Sequence, residues 1–208
     1  MSICVHFTKG HGEVALRINS RLWGEAMFDD SKIKGAVLKT EAGLGKYLEI
    51  MDLLHKVDVN TDRDFQRKYN HFYRVQRRSE EFYKRYYDLM EFHKQTGISF
   101  EESLTAIHRD LGRVEASFCS KLVATLNPDK PVWDQYILKN LKLQSPYHGD
   151  KNRLVKIVKI YKAIEDWYSV FLNTKDAEII VQLFDETYGD VGVTNLKKID
   201  LTLWQMRE

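Results

Sequence analysis

The sequence predicts a mainly α, compact multi-helix fold in one domain spanning residues 1–208, and three observations predict it. Apolar residues recur at three- and four-residue spacing along most of the chain after residue 44. Cap and stop signals stand where those runs begin and end. The composition, 43% hydrophobic and 30% charged with only three prolines, supplies apolar surface for a core and few interruptions to it. A chain of 208 residues can bury such a core without disulfides or a structural metal.

The first 45 residues are the exception. Six glycines fall there, and the alternation in Val14-Ala15-Leu16-Arg17-Ile18 reads as a short strand, so residues 1–45 are expected to form an irregular N-terminal arm packed on the helices. Gly43-Leu44-Gly45-Lys46 has the composition of a phosphate loop, but it lacks the first glycine at the required spacing and the Ser or Thr after the lysine. From Leu44 to Lys56 the positions Tyr47, Leu48, Met51 and Leu54 mark a helix, and the stretch from Asp58 to Asp64 supplies turn and cap residues. Phe65, Tyr69, Phe72 and Gln76 then form one stripe, which Phe82, Tyr86 and Leu89 continue after a break near Ser79. This aromatic block is two helices or one bent helix.

Ser99-Phe100-Glu101-Glu102 is a helix start, with an N-cap serine, acidic residues in the first turn, and Leu104, Ile107 and Leu111 on one face. The stretch from Glu115 to Leu126 repeats the pattern through Phe118, Leu122 and Val123 until Asn127-Pro128 stops it. Asp134 precedes a further helix reaching Leu143, with Ile137, Leu138 and Leu141 inward. The clearest amphipathic run goes from Leu154 to Phe171, with Ile157, Tyr161, Ile164 and Tyr168 inward and Lys156, Lys159 and Lys162 outward. Helices over Lys175 to Tyr188 and Leu196 to Met206 complete the chain.

Several function classes are excluded by what the residues lack. No run approaches the roughly 20 apolar residues of a membrane span, and the opening residues lack the apolar core of a signal peptide, so the expectation is a cytoplasmic protein with no membrane partner. Cys4 and Cys119 form neither a disulfide framework nor a CxxC pair and are expected to be reduced thiols. The histidines show no HxH or HxxxH spacing, and no metal or cofactor site is expected. With a net charge of +2, a nucleic-acid surface would have to be a local one.

The run Glu115-Ala116-Ser117-Phe118-Cys119-Ser120-Lys121-Leu122, followed by Asn127-Pro128-Asp129-Lys130-Pro131-Val132-Trp133-Asp134, resembles the segment of helix-hairpin-helix DNA glycosylases in which a helix, a loop and a catalytic aspartate follow one another. Pro131-Val132-Trp133-Asp134 is the run that corresponds to the family's loop, which reads apolar-Pro-apolar-Asp or similar. The resemblance implies the glycosylase fold, DNA as partner, and Asp134 in the place of the catalytic aspartate. The family's Leu-Pro-Gly-apolar-Gly hairpin is represented by Leu111-Gly112-Arg113-Val114, with a single glycine. Bifunctional members carry a lysine nucleophile about one helix upstream of the aspartate. By spacing that place is taken here by Glu115, with Lys121 two helical turns further on, so the implied activity is monofunctional base excision, a DNA N-glycosylase (hydrolase) reaction. The same stretch, with Lys197-Lys198-Ile199-Asp200-Leu201-Thr202-Leu203-Trp204-Gln205, is also similar to a group of uncharacterised microbial proteins.

Base excision has a plain physical requirement. Positive charge builds on the sugar as the glycosidic bond breaks, and a fixed carboxylate stabilises it while activating water. In this reading Asp134 serves, Glu115 or Lys121 assists, and Trp133 and Tyr136 line a pocket for the extruded base. Each residue also has a structural explanation: Asp134 as an N-cap, Trp133 and Tyr136 as core aromatics, Glu115 and Lys121 as solvated helix residues. Arg74, Arg77 and Arg78 interleave with aromatic residues and are candidate phosphate contacts, with Lys156 and Lys159 as a second basic face. The functional expectation is a nucleic-acid-binding, glycosylase-like protein. The alternative is a non-catalytic helical protein-interaction module.

Overall fold

The computed structural model describes residues 28–206. Among them are ten α-helices and no strand: α1 (Asp30–Leu38), α2 (Glu41–Lys56), α3 (Arg63–Tyr73), α4 (Glu80–Phe92), α5 (Phe100–Leu111), α6 (Ala116–Leu126), α7 (Gln135–Asn140), α8 (Arg153–Phe171), α9 (Lys175–Tyr188) and α10 (Asn195–Gln205). Side chains set most of the starts. Asp62 accepts from the Phe65 amide, Ser99 and Glu102 form a reciprocal capping box, Thr174 accepts from Ala177, and Thr194 from Lys197. α5 ends where Gly112 turns left-handed, at φ +63°.

The closest packing falls into three sets. α1, α9 and α10 pack on one another, while α5 sits among α4, α6 and α8, and α2 pairs with α3. The core runs continuously through all three from Ile33 to Leu201. The aromatic block supplies much of it. Phe65, Tyr69 and Tyr73 of α3 and Phe82, Tyr86 and Tyr87 of α4 are buried, the Tyr69 and Tyr86 hydroxyls lie 2.9 Å apart, and Tyr86 donates onward to the Phe118 carbonyl. Such a chain satisfies polar groups that burial would otherwise leave costly. No helix among the described residues is long and apolar enough to cross a membrane.

The structure differs from the sequence expectation in three places. The stretch 1–45 is not irregular where it is described, because α1 and the first turn of α2 lie in it. Asp29 caps α1 through the Ser31 and Lys32 amides, and Ile33, Ala36 and Val37 bury one face. Gly35, Gly43 and Gly45 have no atom beyond their chain neighbours and own helix backbone within 4 Å of where a Cβ would stand. They answer no steric need and cost the helices about 1 kcal/mol each, which burial of Val37, Leu44 and Tyr47 outweighs. The Val14 to Ile18 strand lies outside the described residues. Second, Gln76 is exposed in the loop after α3, and Tyr73 occupies the core instead. Third, α7 ends at Asn140 rather than Leu143, because Lys142 adopts φ 54° and the Leu143 amide turns back to the Leu138 carbonyl at 2.8 Å.

Candidate functional site

The loop that follows α6 is clamped from three sides. Thr194 donates to the Pro128 carbonyl at 3.0 Å, Tyr161 to the Pro131 carbonyl at 2.9 Å, and the Trp133 amide donates to Ser120 Oγ at 2.9 Å. Lys130 adds an ion pair with Glu165. Trp133 is only 5% exposed and lies parallel to Phe100, which stacks in turn on Tyr161. Its ring is thus part of the core that holds the loop. The loop delivers Asp134 to the N-cap of α7 in a fixed pose, which is the preorganisation a reactive carboxylate needs.

Asp134 accepts from the Tyr136 amide at 2.8 Å and the Ile137 amide at 2.9 Å, both on Oδ1. Burial pushes its carboxyl above the usual range, with the Asp200 charge adding to the effect and the two amides and Lys121 opposing it. Lys121, on α6, is its electrostatic counterpart. Burial above all, with Arg74 adding to it and Asp134 opposing, lowers the amine to about 8. Lys121 Nζ stands 5.3 Å from the centre of the Phe118 ring. Arg74 ends α3 in a left-handed conformation and extends its guanidinium over Trp204 of α10, 5.3 Å from the ring centre.

Asp200 lies behind Asp134 in a network of its own. Tyr168 donates to Oδ1 at 3.1 Å, and Lys197 to Oδ2 at 2.9 Å. Lys197 is 1% exposed. Burial works against its ammonium, yet the Asp200 carboxylate holds the group above the ordinary lysine range. Its Nζ stands 5.4 Å from the centre of the Tyr47 ring, and the nearby Tyr73 hydroxyl is buried without a hydrogen-bond partner.

Asp134 is thus coupled electrostatically to Lys121, and Lys121 to Arg74; Trp133 and Tyr136 flank Asp134, and the remaining candidates stand apart. Glu115 is held by two guanidiniums, Arg78 Nη2 and Arg113 Nε, each at 3.0 Å. Arg78 also donates to the Arg77 carbonyl and covers the Phe118 ring. This makes Glu115 a strut between the loop after α3 and the start of α6. Tyr136 is half-buried and Arg77 exposed. Lys156 pairs with Asp150, and Lys159 is exposed on α8. The Cys119 thiol is buried, and burial pushes it up to about 12, which removes it as a nucleophile near neutral pH. Cys4 lies outside the described residues. Among the described residues no group of three or more His, Cys, Asp or Glu side chains is placed to hold a metal ion.

Sequence reasoning missed Lys197, Asp200 and Trp204 as site residues. The signal was present in their spacing, because positions i, i+3 and i+7 put two charges and a tryptophan on one face of a helix whose neighbours Leu196, Ile199 and Leu201 are buried. No protein-family model, curated protein or solved structure matches the chain, so the chemistry of this site has to be argued from its own residues.

Proposed function

We propose that this chain is a nucleic-acid-binding protein of glycosylase-like helical fold and that Asp134 acts in excising a base. The observation that carries the reading is the pose of Asp134. A clamped loop delivers it, two amides fix one oxygen, and Lys121 lies in its field. A carboxylate of raised proton affinity is a better base for water than an exposed aspartate, and its charge offsets the cation forming on the sugar. Arg74 supplies an exposed guanidinium for a phosphate. The helix pair α5–α6, joined through residues 112–115 with Gly112 left-handed, supports the glycosylase-like reading of the fold.

Lys121 adds a variant of the same reaction. An amine with a pKa of about 8 is partly neutral at that pH and can attack the sugar carbon in place of water as the base leaves. Both outcomes are read by incubating the protein with duplexes that carry oxidised, alkylated or deaminated bases, with and without borohydride. Base release lost in Asp134→Asn is expected, and a borohydride-trapped adduct lost in Lys121→Met would assign the amine. No release from any duplex would overturn the excision reading, and absence of salt-sensitive DNA binding would overturn the nucleic-acid reading as well.

A non-catalytic interaction module is favoured by one other feature, the cavity of about 770 Å³ between α4 and α5. Phe92, 80% exposed, stands on its edge with Leu89, Ile98 and Ala106. If binding to a partner protein were lost in Phe92→Asp and kept in Asp134→Asn, this second reading would replace the first.

A further inference from the structure

One concentration of positive charge lies just past the candidate site. Residues 139–162 contain seven lysines and arginines and one acid, Asp150, in a chain whose total net charge is +2. The rest of the protein taken together is therefore net acidic, and this stretch is an attractive surface for a polyanion. The structure makes a surface of it. Lys139, at the end of α7, is exposed, as are Lys151 in the connecting loop and Lys156, Lys159 and Lys162 on α8. Lysines three residues apart recur about every 4.5 Å along α8. Asp150 pairs with Lys156 and Asp166 with Lys162, and by sequence the stretch holds seven cations against one acid.

A ring stands among these cations. Tyr147 is 74% exposed, in a turn closed by the Asp150 amide donating to its carbonyl at 3.2 Å. The ring lies across Gly149, where a Cβ would stand 2.6 Å from the tyrosine hydroxyl and 2.8 Å from ring carbons. The absence of a side chain at 149 thus sets the orientation of the ring. A face that only solvates lysines has no use for an aromatic side chain held in water, whereas cations interleaved with an open ring match a strand that presents phosphates and bare bases together.

We propose that this surface binds single-stranded nucleic acid, with the lysines on the phosphates and Tyr147 stacked on a base. A duplex would satisfy the lysines but keeps its bases inside the stack, and an acidic peptide would leave the ring without a partner. The surface also adjoins the first site, since α7 spans about 9 Å over its six residues between Asp134 and Lys139. It shares with the excision reading only the premise of a nucleic-acid ligand and does not require Asp134 to be reactive.

The test is fluorescence anisotropy with labelled oligothymidine, the same oligonucleotide as a duplex with oligoadenine, and phosphatidylserine vesicles, each titrated at several salt concentrations. The expected result is tighter binding of the single strand. Tyr147→Ala should weaken it about tenfold while leaving the duplex affinity and the melting temperature unchanged. Gly149→Ala, which displaces the ring and keeps every charge, should weaken single-strand binding in the same direction. Lys139→Gln with Lys151→Gln should flatten the salt dependence for the single strand by roughly 1.4 in log–log slope. Equal affinity for single strand and duplex, indifference of both to Tyr147, or binding to vesicles in place of oligonucleotides would overturn the proposal. Anisotropy reads binding alone, so failure of base release and failure of this surface are separate results.

Discussion

At Asp134 the demands of a helix cap and of a reactive carboxylate fall on different oxygens. Oδ1 receives both α7 amides, a cap that an asparagine carbonyl supplies equally well. The negative charge is what burial opposes. A carboxyl whose folded-state pKa is raised contributes stability below the unfolded value, and that contribution is lost as pH rises through the folded value. Asp134→Asn is therefore expected to melt at or above the wild-type temperature at pH 7, with the gap closing toward pH 4. Asp134→Ala, which loses the cap, should cost roughly 0.5–2 kcal/mol. Lys121 carries the opposite sign. Its amine is lowered from 10.5 to about 8, so the cost of burying the ammonium is fully present below pH 8 and is relieved as pH rises toward 10.5. Lys121→Met should gain on the order of 2 kcal/mol at pH 7, an advantage that shrinks over that window in denaturant titrations at pH 7, 9 and 10.

Among the helices, α10 shows best what a sequence exposes and what it conceals. The bounds of α5, α8, α9 and α10 were readable because local chemistry sets them. Ser99 and Thr174 cap through amides three residues on, and the apolar stripes run unbroken between such points. α1 was hidden because glycine content argues for a loop, whereas what holds α1 is burial of Ile33 and Val37 against α9 and α10. The same distinction applies to the site. Pro131 to Asp134 form a contiguous run and could be singled out, but Asp200 gains its meaning from Tyr168, 32 residues away, and from a lysine that only burial makes unusual. Lys197→Met would leave the Asp200 carboxylate with Tyr168 as its remaining donor and is expected to cost roughly 3 kcal/mol. Combining it with Asp200→Leu removes the stranded charge and should recover most of the loss. Urea titrations of the two variants check this, and a double variant no more stable than Lys197→Met would show that the pair is not what stabilises α10.

At the scale of the whole molecule the candidate site lies on a seam. Lys121 and Tyr168 belong to the packing group around α5, Asp200 and Trp204 to the group of α1, α9 and α10, and Asp134 sits on the loop tied to both through Tyr161 and Thr194. The hydrogen bond from Tyr168 to Asp200 crosses directly from α8 to α10. A ligand held by residues from both groups would be expected to brace them, and loosening the seam should release one group before the other, because local opening follows the weakest set of contacts. Tyr168→Phe removes that single bond without changing the shape of the ring, at a cost of about 1–2 kcal/mol. Hydrogen exchange followed by mass spectrometry should then show faster exchange in α10, with α9 next and α5 and α6 close to wild type. A uniform rise across all helices would mean that the two groups open as one unit and that the site is not a boundary between them.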